Sequence, residues 1–177
     1  HHKVAKETAR ELAKAYISNL SVDTIICLEG TEIIGAFLAR ELAKEGHTSI
    51  NSGKDICVIT PETNANNQMI FRDNIQKHVF NKQILLLISS ASTGKTINRS
   101  VECLQYYNGQ LAGVASIFSA INEHNGIQIN SIFTSEDLNN YETMSAHDCK
   151  LCKSGQKVDA IINSFGYSKT VSYTHLT

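Results

Sequence analysis

The sequence predicts an α/β fold with a central, mainly parallel sheet flanked by helices. Three observations predict it. Strand-length runs of almost uninterrupted apolar residues recur, such as DTIICL at 23–28, DICVIT at 55–60 and ILLLI at 84–88. Strands that read this way are buried on both faces, as in parallel sheets. Segments with helical spacing of apolar residues alternate with them, the pattern of a sheet covered by helices. Finally, the stretch 84–98, ILLLISSASTGKTIN, joins a strand, a small-residue loop and a helix start. Ligands in such folds bind beyond the carboxyl ends of the strands.

The elements follow in order. Residues 3–20 place Ala5, Ala9, Leu12, Ala13, Tyr16, Ile17 and Leu20 at helical spacing. Residues 23–28 form the first strand, and Glu29, Gly30 and Thr31 a turn. Residues 32–45 form a second helix, with Ile34, Phe37, Leu38 and Leu42 inward and Arg40, Glu41, Lys44 and Glu45 outward. Gly46 is its natural C-cap. The second strand is 55–60. The connection 61–83 exceeds ordinary loop lengths. It is read as a lid or binding loop, as a hairpin or short helix packed on an edge, or as both at once. The third strand, 84–88, leads to a helix at 96–107 with Ile97, Val101 and Leu104 inward, stopped by Asn108-Gly109. Strands at 111–118 and 127–133 complete the sheet. Glu136-Asp137, after Thr134-Ser135, reads as a helix start.

Length and composition set bounds. A chain of 177 residues suits one domain, taken as 3–169, whose C-terminal part 143–169 holds the paired cysteines. His1-His2 reads as a tag remnant and 170–177 as a disordered tail. With 42% apolar and 19% charged residues the class is globular. A formal net charge of −1 argues against nucleic acid as a partner. No apolar run reaches the roughly 18–20 residues of a membrane span. Cys27, Cys57 and Cys103 lie in apolar patterns and read as reduced core residues, which predicts a cytoplasmic protein.

The loop after Ile88 is the richest feature. Ser89, Ser90, Ser92, Thr93 and Thr96 offer hydroxyls, Ala91 is small, and Gly94 lets the backbone approach a ligand. A helix opening at Lys95 presents free N–H groups and a partial positive charge, which suit an anion. The alternative is an ordinary capped helix N-terminus. Gly94-Lys95-Thr96 also matches the end of G-x-x-x-x-G-K-[ST], the loop of P-loop NTPases, so a degenerate P-loop NTPase is a minor reading. Ser89 stands where that pattern needs its first glycine, and the strand 111–118 closes on Ser119 rather than an acid.

Ser92-Thr93-Gly94-Lys95-Thr96 after an apolar strand resembles the phosphoribosyl pyrophosphate loop of type I phosphoribosyltransferases, and the order of elements over 23–133 is closest to their orotate branch. The resemblance implies a base-plus-phosphoribosyl-pyrophosphate reaction in pyrimidine nucleotide synthesis, with Mg²⁺, in a homodimer. It assigns Ser89 to Thr96 to the 5′-phosphate loop and Glu29, Gly30 and Thr31 to the pyrophosphate loop. Arg72 and Lys77 fall in the segment that covers the site, and 143–169 supplies a small hood over the base. The family's two loop acids, which hold the ribose hydroxyls, are Ile88 and Ser89 here. Charged hydrogen bonds contribute about 1.5–3 kcal/mol each, so losing both costs roughly two to four decades of rate or affinity. Reduced activity follows, and a non-catalytic sensor of phosphoribosyl ligands or nucleotides is the alternative.

His147-Asp148-Cys149-Lys150-Leu151-Cys152 holds two cysteines at zinc-knuckle spacing, with His147 a third donor. A fourth donor is left to Asp148, His175, another cysteine or a second chain. Structural zinc, free thiols and a disulfide are the three readings.

Overall fold

The computed structural model describes residues 1–45, 49–64, 68–145, 147–163 and 166–170. Gly46, the tip of the long connection at 65–67, and His175 with the rest of 171–177 lie outside them. By internal contacts the chain divides into two compact units, His1–Asn139 and Asn140–Thr177.

In the first unit, helix α1 (His2–Ala13) precedes strand β1 (Thr24–Cys27), helix α2 (Glu32–Leu42) and strand β2 (Cys57–Ile59). The long connection holds a two-stranded ribbon, β3 (Glu62–Thr63) and β4 (Met69–Ile70), and a short helix α3 (Asp73–Gln76). Strand β5 (Gln83–Ala91), helix α4 (Lys95–Tyr106), strand β6 (Gln110–Ser119) and the hairpin β7 (Glu123–His124) with β8 (Ile127–Thr134) follow. The sheet order is β2-β1-β5-β6-β8-β7, with β7–β8 its antiparallel pair and the others parallel. The mainly parallel α/β class expected from the apolar runs is the class observed.

The side-chain period of two explains why those runs are continuous. Along β5, Leu85 and Leu87 enter one core with Leu12 of α1 and Leu38 and Leu42 of α2. Ile84, Leu86 and Ile88 enter the opposite core with Ile97 and Leu104 of α4. Both faces of the sheet are therefore dry. At Gly35 of α2 a Cβ would stand 2.3 Å from the Cys27 sulfur, so the missing side chain sets how closely α2 meets β1.

Several boundaries differ from the sequence reading, each for a tertiary reason. The first helix stops at Ala13, because the N–H groups of Lys14, Ala15 and Tyr16 bond three residues back. The tightened turns bury Tyr16, whose hydroxyl donates to the Val114 carbonyl at 2.7 Å and accepts from Asn130 at 3.1 Å. Strand β5 runs on to Ala91 because β6 continues beside it, pairing Ser90 with Phe118 and Ala91 with Ser119. The long connection forms the ribbon and short helix of the packed reading, with Phe71 and Val79 buried in the α4-side core. Glu41, expected outward, is buried and paired with Lys44. Among the cysteines expected in the core, Cys27 is fully buried while Cys57 and Cys103 are half-buried. The Glu136-Asp137 helix start is a short 3₁₀ turn (Ser135–Asp137), with Thr134 and Asp137 capping each other.

The second unit carries a short helix α5 (Lys150–Lys153) and an antiparallel hairpin, β9 (Ala160–Asn163) with β10 (Gly166–Lys169). A disulfide joins Cys149 to Cys152. The zinc set His147, Cys149 and Cys152 is corrected by that bond, which leaves neither sulfur as a thiolate. Among the described residues no three His, Cys, Asp or Glu side chains are grouped to hold a metal.

Candidate functional site

Strands β1 and β5 are neighbours, but the helices that follow them cover opposite faces: α2 packs on the Leu85–Leu87 side and α4 on the Ile84–Ile88 side. Such a point, where connections diverge, leaves a crevice beyond the carboxyl ends of the strands. The loops after β1 and β5 border it. Strand β1 stays with β5 through Cys27, paired with Leu87, and the Leu28 N–H still donates to the Leu87 carbonyl at 2.9 Å. The chain then swings away at Glu29 and Gly30, both at positive φ (59° and 80°).

On the β5 side, Gly94 turns the chain into α4. Its φ of 73° lies in the left-handed region, and a Cβ there would stand 2.3 Å from the His124 ring. No side chain caps α4 at Gly94. The first N–H groups of a twelve-residue helix thus open onto a pocket of about 180 Å³. Ser90, Ala91, Ser92, Thr93, Gly94, Lys95 and Thr96 line it, with Ile88, Ile97 and Glu29. The bend anticipated from the sequence therefore faces a concavity. Glu29 and Thr96 also border a second pocket of about 300 Å³, reaching Thr60, Met69 and Arg99. Met69 and Arg99 continue into a third, about 580 Å³, between β4 and α4, beside Tyr106 and Tyr107. Sharing these residues, the three follow one another along the length of α4, from Lys95 to Tyr106.

The anticipated residues do not all gather here. Ser89 faces Glu29, its hydroxyl donating to the Glu29 carboxylate. Thr31 is buried, its hydroxyl donating to the carbonyls of Leu28 (2.9 Å) and Leu87 (3.1 Å). Its side chain serves the junction of β1 with α2 and is withheld from a ligand. Arg72 is exposed and bidentate to Glu62, at 2.9 and 2.5 Å. That pair holds the Glu62 carboxyl below its ordinary range. Lys77 is misplaced for catalysis. Its neighbour His78 accepts from Thr24, the first residue of β1, at 2.6 Å, which puts Lys77 at the amino edge of the sheet. Ser89 lies within a strand rather than a turn, so the opening bend of a P-loop is not formed there.

Two site residues escape sequence reasoning. Arg99 stands one turn beyond Lys95 on α4, borders two of the pockets, and makes no ion pair among the described residues. The four-residue spacing from Lys95 is its sequence signal. His124 lies across Gly94, held by Asn98 Oδ1 at 2.8 Å. Its signal is the turn Asn125-Gly126, at φ 52° and 80°, which folds β7 back on β8.

No protein-family model matches the sequence, and no curated protein does. Solved structures match. Adenine phosphoribosyltransferase from Thermoanaerobacter pseudethanolicus aligns with 75% of this chain and 80% of its own, at 16% identity and a TM-score of 0.54. Orotate phosphoribosyltransferase from Mycobacterium tuberculosis, in complex with 5-phospho-alpha-D-ribosyl 1-diphosphate, aligns with 78% of each chain at 16% identity and 0.53. Purine phosphoribosyltransferase from Pyrococcus horikoshii aligns with 81% of this chain and 92% of its own, at 15% identity and 0.50. The fold is that of the type I phosphoribosyltransferases.

Proposed function

We propose that this chain binds phosphoribosyl ligands and acts as an orotate-type phosphoribosyltransferase of reduced activity, joining a base to phosphoribosyl pyrophosphate with release of pyrophosphate. The observation that carries the reading is the uncapped start of α4 behind Gly94, opening at the divergence of β1 and β5 onto a pocket lined by hydroxyls. The N–H groups at the head of α4 and the hydroxyls of Ser90, Ser92, Thr93 and Thr96 suit one phosphoryl group. The solved relative in complex with 5-phospho-alpha-D-ribosyl 1-diphosphate shares the fold and supports the ligand class.

The second anionic group of such a ligand needs a cation. Arg99 supplies it better than Arg72, which is committed to Glu62. Mg²⁺ would arrive on the diphosphate and neutralise its charge. Such ions keep several waters and take few protein carboxylates, so the diphosphate itself carries the ion into the site.

A non-catalytic sensor is the second reading. It is favoured by the uncharged pair Ile88 and Ser89, the former fully buried. Calorimetry with phosphoribosyl pyrophosphate and ribose 5-phosphate separates the two. A transferase binds the first at least about tenfold more tightly, one decade being about 1.4 kcal/mol, and turns over orotate with Mg²⁺. A sensor binds both equally without turnover. Binding neither overturns both readings. Ser89→Asp restores an acid at the less buried position of the pair and raises turnover if the missing charge limits it. Light scattering tests the homodimer.

A further inference from the structure

Glu29 stands apart from every other residue of its conformation. Among the described residues five non-glycines have positive φ: Asn81, Asn108, Asn125, Asn140 and Glu29. Asparagine tolerates the left-handed region because its short amide bonds locally, whereas glutamate has no such relief. Where the fold merely needs that backbone shape, this chain uses asparagine or glycine. Strain retained in a crevice is a pointer toward function. The strained backbone aims a carboxylate at the junction of the phosphate-loop pocket and the pocket beyond it. Glu29 is the acid that lines either of them. The Ser89 hydroxyl donates to Oε2 and fixes the side chain from the neighbouring strand.

We propose that Glu29 is the sugar-reading residue of the site: its carboxylate accepts hydrogen bonds from the vicinal ring hydroxyls of a pentose whose phosphate rests on the Gly94 loop. An ionised carboxylate offers about four lone-pair positions. Ser89 occupies one, and the exposed side chain that borders both pockets has the others to offer. A vicinal diol presents two donors at a spacing that two carboxylate oxygens accept together. The surrounding groups, Ser90, Ser92, Thr93 and Thr96, are hydroxyls that donate to an anion and do not compete for this role. The carboxylate thus comes from the loop after β1 rather than from β5, where Ile88 and Ser89 carry none. This inference rests on the phosphate reading of the Gly94 loop.

The test is calorimetric titration of the full chain, without divalent cations, using ribose 5-phosphate, 2-deoxyribose 5-phosphate and inorganic phosphate. A hydrogen bond to a charged acceptor predicts about ten- to hundredfold tighter binding of the ribose compound than of the deoxy compound. Glu29→Asn keeps a residue suited to the backbone but too short to reach. It is expected to abolish the preference and to leave inorganic phosphate binding equal or tighter, since an anion has left. Ser89→Ala, which frees the Glu29 side chain, is expected to reduce the preference by a smaller factor. A preference that survives in Glu29→Asn overturns the proposal, as does equal binding of the two sugars by the natural protein. In either case retained phosphate binding leaves the function reading standing. Failure of all three ligands to bind sinks that reading and this inference together.

Discussion

Gly94 carries two separate demands: a left-handed φ of 73° and a Cα against which the His124 ring lies. Alanine there meets both penalties. The left-handed conformation alone costs about 1–2 kcal/mol for a residue with a Cβ, and the ring must also move. Gly94→Ala is therefore expected to lower the melting temperature by roughly 2–8 °C and to abolish phosphate binding. Adding His124→Ala removes the clash but not the strain, so the double variant recovers only part of the stability. Thermal denaturation of the three proteins measures this. The glycine and its turn role were legible in the sequence, because a strand leading into Ser-Thr-Gly-Lys-Thr has few alternatives. His124 was not legible, since the Asn125-Gly126 turn marks the β7–β8 hairpin but does not say that the hairpin brings the ring against Gly94. Thr31 shows the converse. Its position beside the turn was legible, but not the fact that its hydroxyl is consumed by two carbonyls.

At the scale of elements, what the period of the apolar residues encodes came through, and what depends on neighbours did not. The buried strands and α4 were legible because a fully buried strand must be apolar throughout. The overrun of β5 into Ser89, Ser90 and Ala91 was not, because polar residues join a strand only when a partner such as β6 continues beside them. The ribbon β3–β4 was among the open readings, and Met69 of β4 and the adjoining Phe71 tie it to the α4-side core. That packing changes the assignment of the cations. Arg99→Ala is expected to weaken phosphoribosyl pyrophosphate binding by about tenfold while leaving inorganic phosphate binding nearly unchanged. Arg72→Ala is expected to change neither, because its guanidinium already serves Glu62. Parallel calorimetric titrations distinguish the two, and an effect of Arg72→Ala equal to that of Arg99→Ala would show that the ion pair opens for the ligand.

The whole molecule has an alkaline limit built into its first unit. Burial pushes the Cys27 thiol from 9.0 up to about 12 and the Tyr16 hydroxyl from 10.0 up to about 12. For both groups the folded chain holds its proton where the unfolded chain has released it. Their contribution is therefore complete below the ordinary values and is lost as pH rises toward 12. The urea midpoint is expected to fall steadily from pH 9 upward, and more gently above pH 10 in Tyr16→Phe. The same unit contains both cores, since every member of either cluster precedes Asn139. Both loops of the crevice lie within it as well. A chain ending at Asn139 is consequently expected to fold with a cooperative thermal transition and to bind inorganic phosphate as the full chain does. If the segment 143–169 is the hood that the family resemblance implies, truncation removes turnover of the base without touching phosphate affinity. Losing phosphate affinity on truncation would instead make the second unit part of the cradle, and the assignment of that role to the Gly94 loop alone would be wrong.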